Sequence, residues 1–231
     1  MNVVAIFDIG KTNKKVFLFD ENYKIVWERS VIFEEITDED GFPCENITAL
    51  KNWIVFWLSE MQKLKQYVLK AVNFSTYGAS FIYVDEHGNA LTPLYNYLKP
   101  YPEALKNKFY NKYKGEEAFA LKTASPVLGS LNSGMQIYRL KEENPDLFEK
   151  VKYCLHLPQY LSSLLTGKYL ADITSIGCHA NLWNFKKMKY HKWINTIAAS
   201  TFGVLLIHAN SDTMRQWLWR DTLQNAEQFY M

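Results

Sequence analysis

Asp8-Ile9-Gly10-Lys11-Thr12-Asn13 holds the densest chemistry in the chain. A carboxylate at Asp8 could hold Mg²⁺ directly or through water. Gly10 lets a ligand approach the main chain with no side chain in the way. Thr12 and Asn13 offer short hydrogen-bonding groups, and Lys11, Lys14 and Lys15 bring positive charge. Main-chain N–H groups at such a tip can cradle phosphate. Asp-x-Gly is a short and common signal, so a plain charged turn accounts for the same residues equally well. Two further stretches carry small polar groups suited to lining a cleft: Ser75-Thr76-Tyr77-Gly78-Ala79-Ser80, and Asp172 to His179. Within the second, Asp172 reads as an interior carboxylate that orients a pocket, while His156 and His179 suit sugar hydroxyls or structural hydrogen bonds equally.

The elements around these residues follow from periodicity. Val3 to Phe7 and Val16 to Asp20 are strand-length apolar runs flanking a polar turn, which reads as a hairpin. Lys24 to Phe33 reads as a third antiparallel strand and Glu34 to Glu45 as an acidic loop. Leu50, Trp53, Ile54, Trp57, Leu58, Met61 and Leu64 recur at helical spacing behind an N-cap at Asn46, so the spacing predicts a helix over Ile47–Tyr67. A strand at Ala71–Phe74 places Ser75 to Ser80 at its C-terminal end, where α/β sheets gather ligands. Phe81–Val84, the turn Asp85–Gly88 and Ala90–Tyr97 read as a hairpin. Helices are expected over Glu103–Tyr113, Ser133–Glu143 and Pro158–Leu165, with Asp146 capping a short turn, Val151–Leu155 extended and Gly115–Ser125 irregular or weakly helical.

Composition narrows the classes. A chain of 231 residues, 48% hydrophobic and 22% charged, has the material for a substantial core. A net charge of +2 does not suggest a nucleic-acid partner. No apolar run nears the roughly 20 residues of a membrane span. Cys44, Cys154 and Cys178 are odd in number and lack a CxxC pair, which argues against a disulfide framework or zinc site. With no secretory leader before the first strand, the expected location is the cytoplasm. Most of the 7 Trp, 15 Tyr and 14 Phe are expected in the core.

Four blocks in order resemble the N-terminal half of the FGGY carbohydrate kinases, from Met1 to about Trp193. They are Asp8 to Asn13; Asn73 to Pro93, with Tyr77-Gly78 and Asp85-Glu86-His87-Gly88; Glu142-Glu143-Asn144-Pro145; and Leu157-Pro158-Gln159-Tyr160-Leu161 through Thr166-Gly167 into Asp172 to His179. The resemblance implies an α/β, ribonuclease-H-like (actin-like ATPase) fold, with a mixed five-stranded sheet flanked by helices and a helical and sheet insertion on the sugar side. It implies ATP-dependent, Mg²⁺-assisted phosphorylation of a sugar hydroxyl. Asp8 would help hold Mg²⁺, and Gly10, Lys11, Thr12, Asn13 and Lys15 would meet the phosphates. Thr76, Tyr77, Gly78, Ala79, Pro158, Gln159, Asp172, Ser175 and His179 would build the sugar pocket, with a deoxy-ketose favoured by Ser75 to Ala79.

Two departures stand out. Family members carry an Asp and an Arg in the loop that here reads Tyr95-Asn96-Tyr97-Leu98-Lys99-Pro100, so the usual sugar contacts of that loop are in question. They also have a second domain that binds adenosine and carries the base. Residues 1–200 resemble the first domain. In the atypical tail, residues 201–231, Leu205-Leu206-Ile207-His208 and Ser211-Asp212-Thr213 resemble the family's inter-domain segment. Met214 to Met231, with Trp217 and Trp219, is expected to pack loosely as an amphipathic tail. The expected product is therefore half a kinase, inactive alone, that works with a C-terminal domain in trans or as a homodimer. The alternatives are a sugar-binding protein without turnover and a non-functional truncated remnant.

Overall fold

The computed structural model describes residues 1–198, so residues 199–231, including the expected tail and the Leu205–His208 and Ser211–Thr213 segments, lie outside the described residues. The elements in order are β1 (Asn2–Ile9), β2 (Lys14–Phe19), β3 (Ile25–Val31), β4 (Ile36–Thr37), β5 (Pro43–Cys44), α1 (Ile47–Lys63), β6 (Val68–Thr76) and β7 (Phe81–Val84). After them come α2 (Glu103–Lys112), α3 (Glu116–Thr123), α4 (Ser133–Glu143), α5 (Pro145–Glu149), β8 (Tyr153–His156), α6 (Leu157–Thr166), α7 (Ile173–Gly177), β9 (Trp183–Asn184), β10 (Lys189–Tyr190) and α8 (Lys192–Ala198).

Alternation makes β1. Val3, Ala5, Phe7 and Ile9 are buried on one face, and the intervening residues are more exposed. β1 and β2 pair antiparallel around the expected hairpin, β3 continues the meander, and β6 runs parallel to β1 on its other side, giving the order β3-β2-β1-β6. Among the described residues the sheet thus has four strands, one fewer than expected. β7 stands outside that sheet. Its backbone pairs with β8, about seventy residues later, in a separate two-stranded sheet, while the expected second arm meets β7 only in a Val84–Ala90 bridge beyond the Asp85–Gly88 turn.

β7 is buried on both faces, and it divides two cores. Ile82 and Val84 join the sheet, α1 and α6, with Leu50, Ile54 and Leu161 at the centre. Phe81 and Tyr83 face the helical side, where Phe109, Phe119, Tyr138 and Trp193 pack. The Phe109 ring meets Phe119, Tyr138 and Trp193 edge-on at centroid separations of 5.1, 4.9 and 5.2 Å, an arrangement aromatic quadrupoles favour.

Helix ends follow local chemistry. Asn46 Oδ1 accepts the Ala49 N–H at 2.9 Å and starts α1 as expected, although α1 closes at Lys63, short of Tyr67. The cap of α5 is Asn144, whose Oδ1 accepts from Leu147 N, and Asp146 sits in the first turn instead. Gly167 ends α6 at φ 63°. Gly134 in α4 lies so close to the chain before β9 that an added Cβ would stand 2.5 Å from Ala180 O. Among the described residues no helix is long and apolar enough to cross a membrane.

Candidate functional site

The β1–β2 turn is tight for a steric reason. Gly10 N–H donates to Asn13 O at 3.0 Å, and a Cβ at Gly10 would meet that same oxygen at 2.9 Å. Glycine is thus needed to close the turn, and its own amide is spent inside it. Asp8 is exposed on β1, opposite Lys15 on β2 and beside Ser75 on β6. Thr12 is exposed at the tip, and Asn13 Oδ1 is buried without a protein partner. The three lysines separate in role. Lys11 pairs with Glu35, and Lys14 is buried against Glu45 at 2.7 Å while donating to Lys11 O at 3.0 Å. Lys15 is exposed on β2.

The tip adjoins a cavity of about 400 Å³. Thr76 sits opposite Ile9 in the parallel register, and Tyr77 N–H donates to Ile9 O at 3.1 Å. Thr76, Tyr77, Gly78, Ala79, Pro158, Ser175 and His179, all expected on the sugar side, line this cavity together. A Cβ at Gly78 would meet nothing within 4 Å, so the cavity is open at that position. Ala79 holds a left-handed φ of 63°, and its carbonyl accepts Gln136 Nε2 at 2.5 Å.

Two expected sugar residues are elsewhere. Gln159 is buried but does not line the cavity; neighbouring positions on a helix point about 100° apart, so with Pro158 on the cavity side Gln159 turns away from it. Asp172 is half-buried and does not line the cavity either. Its Oδ1 caps α7 by accepting Thr174 N at 2.8 Å and also accepts Thr174 Oγ1, so it bears on the cavity through Thr174 and through its charge on His156. His156, Thr174 and Cys178 also line the cavity, as do Tyr97 and Leu131, which the sequence does not mark as cavity residues. Thr174 and Cys178 fall inside the polar Asp172–His179 segment, which was signal enough. Leu131 carries none.

His156 is buried between Ser133, whose Oγ lies 2.9 Å from Nε2, and Phe81, whose ring centroid is 4.1 Å away. Burial pushes its imidazole down to about 3, with the Asp172 charge opposing, so the ring is neutral near pH 7. The Tyr77 hydroxyl donates to Glu45 Oε2 at 3.4 Å, and burial together with that carboxylate holds its phenol well above the usual range. The divergent loop is turned elsewhere. Lys99 binds Asp38 at 2.5 Å and Asp40 at 2.7 Å, and Asn96 Nδ2 donates to Pro43 O, so the loop clamps the β4–β5 segment; Tyr97 alone of Tyr95–Pro100 lines the cavity.

Residues 3–205 match the profile described as the FGGY family of carbohydrate kinases, N-terminal domain. The chain belongs to the FGGY family. It is 28% identical over 178 residues to a rhamnulokinase of Halalkalibacterium halodurans, covering 76% of this chain and 37% of that protein. Among solved structures, a ligand-bound xylulose kinase from Lactobacillus acidophilus superposes with a TM-score of 0.76 at 18% identity, over 90% of this chain and 42% of that one. Plasmodium falciparum glycerol kinase with ADP gives 0.75 at 19% identity, over 95% and 47%. These structural likenesses establish the actin-like α/β fold of the FGGY kinases. The chain spans little more than a third of the length of the rhamnulokinase.

Proposed function

We propose that the chain is the sugar- and phosphate-facing half of an ATP-dependent carbohydrate kinase. One observation carries the reading: the hairpin tip and the sugar-sized cavity share a main-chain seam, Tyr77 N to Ile9 O. A phosphoryl donor over the tip and a sugar in the cavity would lie side by side, which is most of what phosphoryl transfer asks of a protein.

The residues fit Mg²⁺ and nucleotide phosphates. Among the described residues no three His, Cys, Asp or Glu side chains form a metal cage. Mg²⁺ commonly takes only one or two carboxylates plus water and phosphate oxygens, and Asp8 supplies an exposed one. When bound, the ion neutralises phosphate charge. The main chain of Lys11 to Asn13 and the Lys15 ammonium would face the phosphates. In the cavity, Thr76, Thr174, Ser175 and His179 supply hydrogen bonds to hydroxyls, and Tyr77, Tyr97, Leu131 and Pro158 supply an apolar wall. A wall of that kind suits a sugar with an apolar edge, and a deoxy-ketose agrees with the rhamnulokinase likeness.

A base oriented at the sugar hydroxyl is worth about 10²- to 10⁴-fold. The resemblance assigns it, with the adenosine wall, to a second domain. The test is an ADP-release assay with ketoses and aldoses, deoxy sugars included. These 231 residues should show no turnover alone. Mixing them with the separately expressed C-terminal half of a rhamnulokinase should give activity that depends on both concentrations and vanishes in Asp8→Ala. Turnover by the repurified chain alone, lost in Asp8→Ala, would refute this division and place the base among these residues. If complementation gives nothing, a sugar-dependent rise in melting temperature would mark a binding protein without turnover.

A further inference from the structure

Lys14 and Glu45 form a 2.7 Å ion pair with side chains only 2% and 4% exposed. Taking both charges out of water is costly, and an apolar pair of similar volume often serves stability as well or better. Their other contacts suggest a different use. Lys14 Nζ also donates to Lys11 O at 3.0 Å, within the phosphate-facing turn. The same Glu45 oxygen that meets Lys14 accepts the Tyr77 hydroxyl at 3.4 Å, from the wall of the sugar cavity. Glu45 is itself fixed by a main-chain bridge to Leu94, ahead of the loop that brings Tyr97 against Tyr77. One carboxylate oxygen thus touches both halves of the site. The Tyr77 N to Ile9 O bond ties the two main chains together, and the charged pair ties the far side of the turn to the tyrosine ring.

We propose that Lys14 and Glu45 are positioning residues that lock the hairpin turn and the Tyr77 wall into one unit, fixing the spacing between the phosphate-facing main chain and the sugar-facing ring. The purpose of this lock rests on the kinase reading, but its existence does not, and the test needs no ligand.

The test compares Glu45→Gln, Tyr77→Phe and the double swap Lys14→Met/Glu45→Leu in the 231-residue chain. Thermal melting is measured alongside amide hydrogen exchange in residues 9–15 and 76–80. Glu45→Gln should speed exchange in both segments together by about tenfold. Tyr77→Phe, a milder change made in the cavity wall, should speed exchange in the hairpin by about threefold. The double swap should melt at or above the wild-type temperature while exchange in both segments stays fast. If the double swap also restores slow exchange, the pair is packing only and the proposal fails. It fails too if Tyr77→Phe leaves the hairpin unchanged, or if Glu45→Gln loosens one segment and not the other. Should Glu45→Gln fail to fold, the remaining two variants still decide. Titration with magnesium ADP then separates the two readings: linked exchange without nucleotide binding would leave the lock standing and remove the phosphate role.

Discussion

Acidification from pH 7 to pH 5 should destabilise the fold by about 4 kcal/mol through two buried histidines. His156 and His191 are 5% and 4% exposed. Burial pushes their imidazoles down to about 3 and about 4, and at His191 the nearby Lys122, Lys192 and Lys187 push the same way. In the unfolded chain both rings titrate near 6.5. Above that value both states are neutral and the contribution is intact. Below it the unfolded rings take up protons that the folded rings refuse, at about 1.36 kcal/mol per pH unit. At pH 5 this amounts to about 2 kcal/mol for each ring, and the loss continues until the folded values near 3 to 4 are reached. Carboxylates, whose unfolded values lie near 4, add little in this window. The assay is urea unfolding at pH 7, 6 and 5. His156→Gln should be less stable at pH 7, having lost the ring on Phe81, yet its loss on going to pH 5 should halve. A pH 5 loss that is the same in His156→Gln and wild type, or below about 1 kcal/mol in wild type, would refute the reasoning.

Asp8→Asn should weaken magnesium ADP binding measured by calorimetry while leaving stability within about 0.5 kcal/mol, because the side chain is exposed. A large drop in melting temperature with unchanged nucleotide binding would make Asp8 structural. Gly10→Ala should cost about 1–3 kcal/mol and loosen the hairpin, since its Cβ would stand 2.9 Å from Asn13 O; an unchanged melt would show that the turn can open freely. Gly134→Ala should be worse, at about 3 kcal/mol or more by urea unfolding, because the Ala180 carbonyl it would strike at 2.5 Å also accepts the Gly134 N–H. Lys14→Met alone should cost about 3–5 kcal/mol by leaving Glu45 buried and unpaired, and a neutral result would mean that water reaches that carboxylate.

Local signals in the sequence were legible. The hairpin, the Asn46 cap and the bounds of α4 all follow from patterns within a few residues, and the structure gives α4 as Ser133–Glu143, the expected span. α3 is a full helix over Glu116–Thr123 where the sequence offered only a weak one, because its burial of Phe119 depends on Phe109 and His191 from other elements. β6 extends beyond Ala71–Phe74 at both ends, since the parallel ladder to β1 holds Val68 and Leu69 on one side and the polar Ser75 and Thr76 on the other. The β7–β8 pairing and the Lys14–Glu45 contact join distant positions, and no window of sequence contains both partners. The cavity was legible as segments but not residue by residue. Polar character marked Asp172–His179, but only the geometry shows Asp172 spent on a cap and Thr174 lining the cavity.

The seam between hairpin and cavity has a consequence for divergence. Its central tie runs from the Tyr77 amide to the Ile9 carbonyl, and every residue but proline provides that amide. Cavity side chains other than Tyr77 can therefore be exchanged without loosening that tie or the hairpin turn behind it. On the kinase reading, new substrate preferences would arise by point substitution at positions such as Tyr97, Leu131 or Ser175, while the hairpin stays in place beneath them. A scaffold wired this way separates what is chosen from how it is handled, and lets lineages drift in the first without relearning the second.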